Sequence, residues 1–373
     1  MNIFDLVKNV DVLYETKKGG RPAPFGIRGA PGCGKTSVLA TSFKAALAKH
    51  TGKPVDVMID ILSTREAPDI RGLPIAIKTD PLRPTYKYAI PDILSRIYAS
   101  PAIEDGTIIY ILDEFTGSSM DIQKVSADLI QRGYIGEYPL PDNVWLIATG
   151  NRLSDSSGAT RQLAMLTNRM PWYEVELPID NWVNHTRALA IPPLCIAFAQ
   201  SFPRHFATEV PPRDGAFCTY RSFTEFSQYL KSFNITRGRD LMHIENSVFT
   251  DATARGMIGE AATADFFAYC SVAEILPTRK DIVTNPETAR MPPANRIDAQ
   301  YAACSMAIGI AQANILDVAP AIKYLIRLPT IELTVNAIAS LNKSTKGAIS
   351  MNNPMAERWL QEHKALVMEA NRD

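Results

Sequence analysis

The segment Gly29-Ala30-Pro31-Gly32-Cys33-Gly34-Lys35-Thr36 constrains this chain more than any other feature. It follows a short apolar run, Pro24-Phe25-Gly26-Ile27-Arg28, and leads into an Ala- and Leu-rich stretch from Thr36 to Lys49. Its glycines admit backbone conformations that other residues resist, so successive N–H groups turn inward and cradle anionic oxygens. A helix starting at the lysine adds the positive end of its dipole at the same place. The spacing fits GxxxxGK[ST], in which the lysine reaches the β- and γ-phosphates of a nucleotide and the hydroxyl ligates Mg²⁺. Lys35 and Thr36 take those roles, and Gly29, Ala30, Pro31, Gly32, Cys33 and Gly34 supply the cradle. Such a loop joins a strand to a helix, so the chain opens on a βα unit.

Four more strands are expected at Val55–Ile61, Thr107–Leu112, Val144–Ala148 and Trp172–Leu177. The unbroken apolar run Thr107 to Leu112 is that of a strand covered on both faces. Strands alternating with amphipathic stretches predict a doubly wound parallel α/β domain. After Pro178 the strand signals fade. Helical stretches such as Ser222–Ser232 and Arg255–Val272 follow, separated by Pro192-Pro193, Pro211-Pro212 and Pro292-Pro293. The expected organisation is an α/β ATPase core over 1–180, a smaller all-helical lid domain over 181–340, and a tail over 341–373. An amphipathic helix is expected near the chain's end, over MAERWLQEHKALVMEA.

Composition removes several classes. Lys and Arg number 39, as do Asp and Glu, so bulk charge supports neither a nucleic-acid partner nor an anionic membrane. The five cysteines, Cys33, Cys195, Cys218, Cys270 and Cys304, form no CxxC pair, which argues against a disulfide framework or a zinc site. No signal-peptide pattern opens the chain, and no run approaches the ~18 apolar residues of a membrane span. A soluble protein of the reducing cytoplasm is expected. The histidines, His50, His185, His205, His243 and His363, have no metal-like spacing.

Two further motifs bear on chemistry. Thr107 to Leu112 ends in Asp113-Glu114, which places two carboxylates at the carboxyl edge of a sheet, where α/β folds hold ligands. Asp113 is suited to the Mg²⁺ shell and Glu114 to polarising an attacking water. Ile147-Ala148-Thr149-Gly150-Asn151 is a strand ending in an amide. If it lies between the first strand and the Asp-Glu strand, Asn151 faces the γ-phosphate and orients water.

The order of these motifs, followed by Leu166-Thr167-Asn168-Arg169-Met170, resembles an AAA+ ATPase of the MoxR family. The resemblance covers residues 20–235. Two insertions of that clade have counterparts here. One interrupts the helix after the second strand, over 69–90, opening at Asp69-Ile70-Arg71-Gly72-Leu73-Pro74. The other is a β-hairpin over 133–142, before the Asn-bearing strand. The resemblance implies that Arg169 is an arginine finger reaching the ATP of a neighbouring copy, with Arg161 as competitor. Arg221 resembles the sensor arginine opening a lid helix, with Tyr220 where the family has Pro. A finger supplied in trans implies a homo-oligomeric ring, a hexamer. MoxR-type ATPases remodel or mature a protein client, often with a von Willebrand A-type partner. Arg71, Lys78, Arg83 and Lys87 with Tyr86 and Tyr88 give the first insertion a basic-aromatic character that could grip a polypeptide or a nucleic acid. The alternatives are a nucleic-acid motor, since replication helicases share both insertions, and a nucleotide-driven assembly switch. Cys33 receives no catalytic role.

Overall fold

The computed structural model describes residues 1–77, 85–155, 168–206, 215–235, 238–242 and 247–344, together with Arg358, Gln361 and Glu362. The chain divides into two compact units after Pro178.

The first unit is built on a five-stranded parallel sheet. Its strands are β1 (Phe25–Arg28), β2 (Val55–Ile61), β3 (Thr107–Asp113), β4 (Val144–Gly150) and β5 (Trp172–Glu174), in the order β5-β1-β4-β3-β2. β4 pairs with β1 from Ile147↔Phe25 to Gly150↔Arg28, and with β3 from Val144↔Ile108 to Ala148↔Leu112. The Asn-bearing strand therefore lies between the loop strand and the Asp-Glu strand. Successive side chains point to opposite faces, and both faces are covered. Ile108, Tyr110 and Leu112 pack with Ile93, Leu94, Ile97 and Ile130 on one side. Ile109 and Ile111 pack with Ile3, Leu6, Phe43 and Leu47 on the other. That is why β3 and β4 read as unbroken apolar runs, each fully buried side chain contributing about 1.5–3 kcal/mol.

The expected helix at Thr36–Lys49 is one helical run in three parts: α1 (Lys35–Val38), a π-turn over Leu39–Phe43, and α2 (Lys44–Thr51). It stops at Gly52, whose φ of 66° makes the left-handed cap. The strand expected through Leu177 ends at Glu174. Beyond it Val175 N–H still donates to Arg28 O at 2.7 Å, but Glu176 pairs with the N-terminal residues through Met1 O and Ile3 N–H, each at 2.9 Å. Trp172 lies flat over β1: a Cβ on Gly26 would stand 2.4 Å from its ring. The Arg28 guanidinium sits 4.4 Å from that ring's centre, and the Phe115 ring 6.0 Å away. Helices α3 (Ala67–Arg71), α4 (Asp92–Tyr98) and α5 (Met120–Arg132) cover one face. Three small antiparallel ribbons are present among the described residues: Lys17–Lys18 with Arg21–Pro22, Pro74–Ile77 with Thr85–Tyr88, and Tyr134–Ile135 with Tyr138–Pro139.

The second unit is helical throughout its described residues. An aromatic cluster fills its core, with Phe198, Phe223, Phe226 and Phe266 each fully buried. Trp182 Nε1 donates to Thr224 Oγ1 at 2.9 Å. The helix expected at Ser222–Ser232 begins at Tyr220, where Thr219 and Ser222 form a reciprocal capping box. The single helix expected over Arg255–Val272 is two, Ser247–Ile258 and Glu260–Val272. Gly259 separates them with a φ of 80°, and a Cβ there would stand 2.4 Å from Ala216 O. An isolated glycine in an otherwise helical pattern hid that break. The helix expected near the chain's end lies largely outside the described residues.

Candidate nucleotide site

The loop leaves β1 at Arg28 and turns under constraint. Gly29 lies so close to the residue that follows β5 that a Cβ would meet Val175 O at 2.5 Å. Gly32 and Gly34 have φ of 70° and 77°, open to glycine at no steric cost. Gly34 also N-caps α1 and brings no side chain to its first turn, leaving room for an anion's oxygens at that end. Lys35 is buried, and its Nζ donates to Gly29 O at 2.8 Å, Ala30 O at 2.9 Å and Asn151 Oδ1 at 3.0 Å. These acceptors satisfy an ammonium that would be costly to bury alone. Cys33 Sγ lies 3.9 Å from Nζ, and burial pushes its thiol pKa up despite that charge. A thiol kept protonated is a poor nucleophile.

Asp113 closes β3 and joins three donors. Its Oδ1 accepts from Thr36 Oγ1 at 2.9 Å, from Glu114 N–H at 3.1 Å and from the Thr149 hydroxyl. Thr36 and Asp113 thus bring a hydroxyl and a carboxylate together, hard oxygen ligands suited to Mg²⁺. No group of three or more His, Cys, Asp or Glu side chains able to hold a metal occurs among the described residues. A hydroxyl and a carboxylate are the kind of donors that would hold Mg²⁺ beside the phosphates of a nucleotide.

Glu114 follows in the left-handed region, φ 55° and ψ 30°, which turns its exposed carboxylate away from the strand line. Its Oε2 accepts from the hydroxyl of Ser63, which stands on the 3₁₀ turn Leu62–Thr64 after β2. Asn151, directly after β4, meets Lys35 across the sheet edge. Arg152 next to it is clamped by the fully buried Asp155, which accepts from Arg152 N–H at 3.0 Å and from Nε at 3.1 Å. Hydrogen bonding to Asp155 raises the Arg152 pKa further, against desolvation.

Lys35, Thr36, Asp113, Thr149, Glu114 and Asn151 form one connected cluster along the carboxyl edge of β1, β4 and β3. That edge is where parallel α/β sheets bind ligands. The fold is that of a P-loop NTPase. Its sheet runs β5-β1-β4-β3-β2, and a helical unit follows it in sequence.

No protein-family model matches the chain, and no curated protein matches it. Solved structures do. A DNA replication initiation factor matches at 13% identity and a TM-score of 0.35, over 98% of this chain and 92% of the other. Hsp104 in its closed state with ATPγS and casein matches at 15% and 0.34, over 68% of this chain and 45% of the other. A RuvB mutant from Thermotoga maritima matches at 11% and 0.35, over 97% and 89%. Similarities this low carry no information on what this chain does.

Arg169 is half-buried, and its Nη1 donates to Ala127 O of α5 at 3.3 Å. Arg161 lies outside the described residues, as do Lys78 and Arg83. Arg221 belongs to the second unit, exposed in the first turn of the helix Tyr220–Ser232. The second and third ribbons pack on one another. Tyr138 OH donates to Tyr88 O at 2.8 Å, and a Cβ on Gly136 would meet Arg71 O at 2.4 Å. The Arg71 guanidinium lies 5.4 Å from the Tyr88 ring centre. No helix among the described residues is long and apolar enough to cross a membrane.

Sequence reading assigned no role to Ser63, Thr116, Thr149 or the Arg152–Asp155 pair. Hydroxyls beside strand ends are common, and only the strand order selects which of them meet. An acid three residues after a basic residue is equally common in turns.

Proposed function

We propose that this chain hydrolyses Mg-ATP as one subunit of a MoxR-type ring, a hexamer, and uses the energy to remodel or mature a protein partner. The convergence of Lys35, Thr36, Asp113 and Asn151, which lie far apart in sequence, on one sheet edge carries the reading. The loop N–H groups and Lys35 hold the phosphates. Thr36 and Asp113 would hold the Mg²⁺, which would supply positive charge to offset that of the nucleotide's phosphates. Glu114 accepts a proton from the attacking water, and Asn151 orients that water toward the γ-phosphorus. Arg169 of a neighbouring copy stabilises the negative charge that spreads over the phosphoryl oxygens, a contribution of about 10³–10⁵ in rate for such fingers. Arg221 contributes a second cation that responds to the nucleotide's state. The paired ribbons present Tyr86, Tyr88 and Lys87 as the client-gripping surface. The neutral net charge favours a protein over a nucleic acid as client.

The test is ATP turnover by the wild type and by Glu114→Gln, each sized in ATP, with and without single-stranded DNA. Turnover lost in the variant, an ATP-held ring and indifference to DNA are expected. Strong stimulation by DNA, steeply weakened by salt, would replace the remodelling role with a nucleic-acid motor. An ATP-held ring with no turnover by the wild type would leave an assembly switch.

A further inference from the structure

Thr116 lies two residues beyond Glu114, in the 3₁₀ turn Phe115–Gly117, and is only 4% exposed. Its hydroxyl is bonded to both sides of one residue. Oγ1 accepts from Asn151 N–H at 2.9 Å and donates to Asn151 O at 3.1 Å. A hydroxyl has one proton and two lone pairs, so both bonds hold at once. The approach depends on Gly150, where a Cβ would stand 2.4 Å from Thr116 Cγ2 and 2.5 Å from its Oγ1.

The position of this contact matters more than its strength. The paired register of β3 and β4 ends at Ala148↔Leu112. Past that pair, two threonine hydroxyls span the strand tips: Thr149 to Asp113, and Thr116 to Asn151. The Asp113–Thr149 bridge fixes the metal-side carboxylate. The Thr116 bridge fixes the distance between the turn that carries Glu114 and the residue that carries the orienting amide. Both groups must address the same water, so their separation is a catalytic coordinate.

We infer that Thr116 is a positioning residue for hydrolysis, holding Asn151 in register with Glu114; this rests on the reading of the site as an ATPase. The two hydroxyl bonds of Thr116 go to the Asn151 backbone, so its loss acts on the placement of the orienting amide and is read in turnover before nucleotide affinity. A misplacement of about 1 Å in such a pair costs about 10²-fold in rate.

Three variants of the full chain test this: Thr116→Val, which keeps the shape and removes both bonds; Thr116→Ser, which keeps both; and Gly150→Ala, which displaces the hydroxyl from the other side. Expected results are a kcat for ATP lowered about 10²-fold in Thr116→Val with KM little changed, most of that loss restored in Thr116→Ser, and Gly150→Ala resembling valine. Amide hydrogen exchange gives a readout independent of turnover. The Asn151 N–H exchanges faster in Thr116→Val while Ile109 in mid-β3 stays protected, which also shows that the fold persists. An unchanged kcat in Thr116→Val, a parallel loss of kcat and affinity, or serine as damaging as valine would each overturn the inference and leave the ATPase reading standing. A wild type without turnover would overturn both.

Discussion

Glu114 occupies the left-handed region with φ 55°, and the cost of that conformation can be isolated by comparing Glu114→Ala with Glu114→Gly. Both variants lose the carboxylate and its bond to Ser63, so those contributions cancel between them. A side-chain-bearing residue in the left-handed region costs about 1–2 kcal/mol. Glycine escapes that cost but loses more chain entropy on folding, about 0.5–1 kcal/mol relative to alanine. The difference leaves Glu114→Gly more stable than Glu114→Ala by about 0.5–1 kcal/mol, the reverse of the order in a helix or strand. Urea titration followed by a probe in the α/β unit measures it, as a higher midpoint for glycine at equal slope. Neither variant should hydrolyse ATP. Alanine equal to or more stable than glycine would refute the reasoning, and with it the idea that the backbone stores strain at Glu114.

Three other outcomes follow from the same geometry. Asp155→Ala strips the buried partner from Arg152 and should cost about 3 kcal/mol in urea unfolding, whereas Lys124→Ala, breaking the exposed Lys124–Asp121 pair at 2.9 Å, should cost under about 1 kcal/mol. Gly259→Ala forces a side chain onto φ 80° and against Ala216 O, and should destabilise the helical unit by about 2 kcal/mol or more in a thermal melt. The thiols should make the chain sensitive to alkali: burial pushes Cys195 and Cys304 up to about 12. A raised thiol pKa contributes stability that is complete below about pH 8.5, where the unfolded thiol titrates. That stability is lost as pH rises toward the folded value, at about 1.4 kcal/mol per pH unit per group. Unfolding free energy measured from pH 8 to 11 should fall, and Cys195→Ala should make the fall shallower.

Much of the α/β unit was legible because its strands are buried on both faces. Val55–Ile61 needed no correction, and β3 and β4 were extended only by Asp113 and by Thr149 and Gly150, the residues that leave the apolar pattern to serve the site. The motif residues were legible because spacing alone specifies them: a lysine and a hydroxyl after a glycine loop, two acids after an apolar run. What escaped was decided by neighbours remote in sequence. Ser63 and Glu114 meet only because β2 pairs with β3, and Thr116 and Asn151 only because β4 does, which no local window states. The break at Gly259 escaped for a different reason. A glycine is tolerated within a helical pattern, and only the approach of Ala216 makes this one a stop.

The placement of Trp172 has a practical consequence. Its ring rests on the strand that feeds the phosphate loop, beneath the Arg28 guanidinium and beside Phe115, the residue that follows Glu114. Indole emission is sensitive to nearby charge and to ring packing, and this indole touches both sides of the site at once. Trp145, fully buried on β4, reaches Ala23 O through its Nε1 at 2.9 Å and packs against Phe25 and Phe43. Its surroundings are fixed by the core, so it serves as a steady background. Read against the emission of the other three tryptophans, Trp145, Trp182 and Trp359, a change at Trp172 on addition of ATP would report on the glycine-rich loop without a dye or a label.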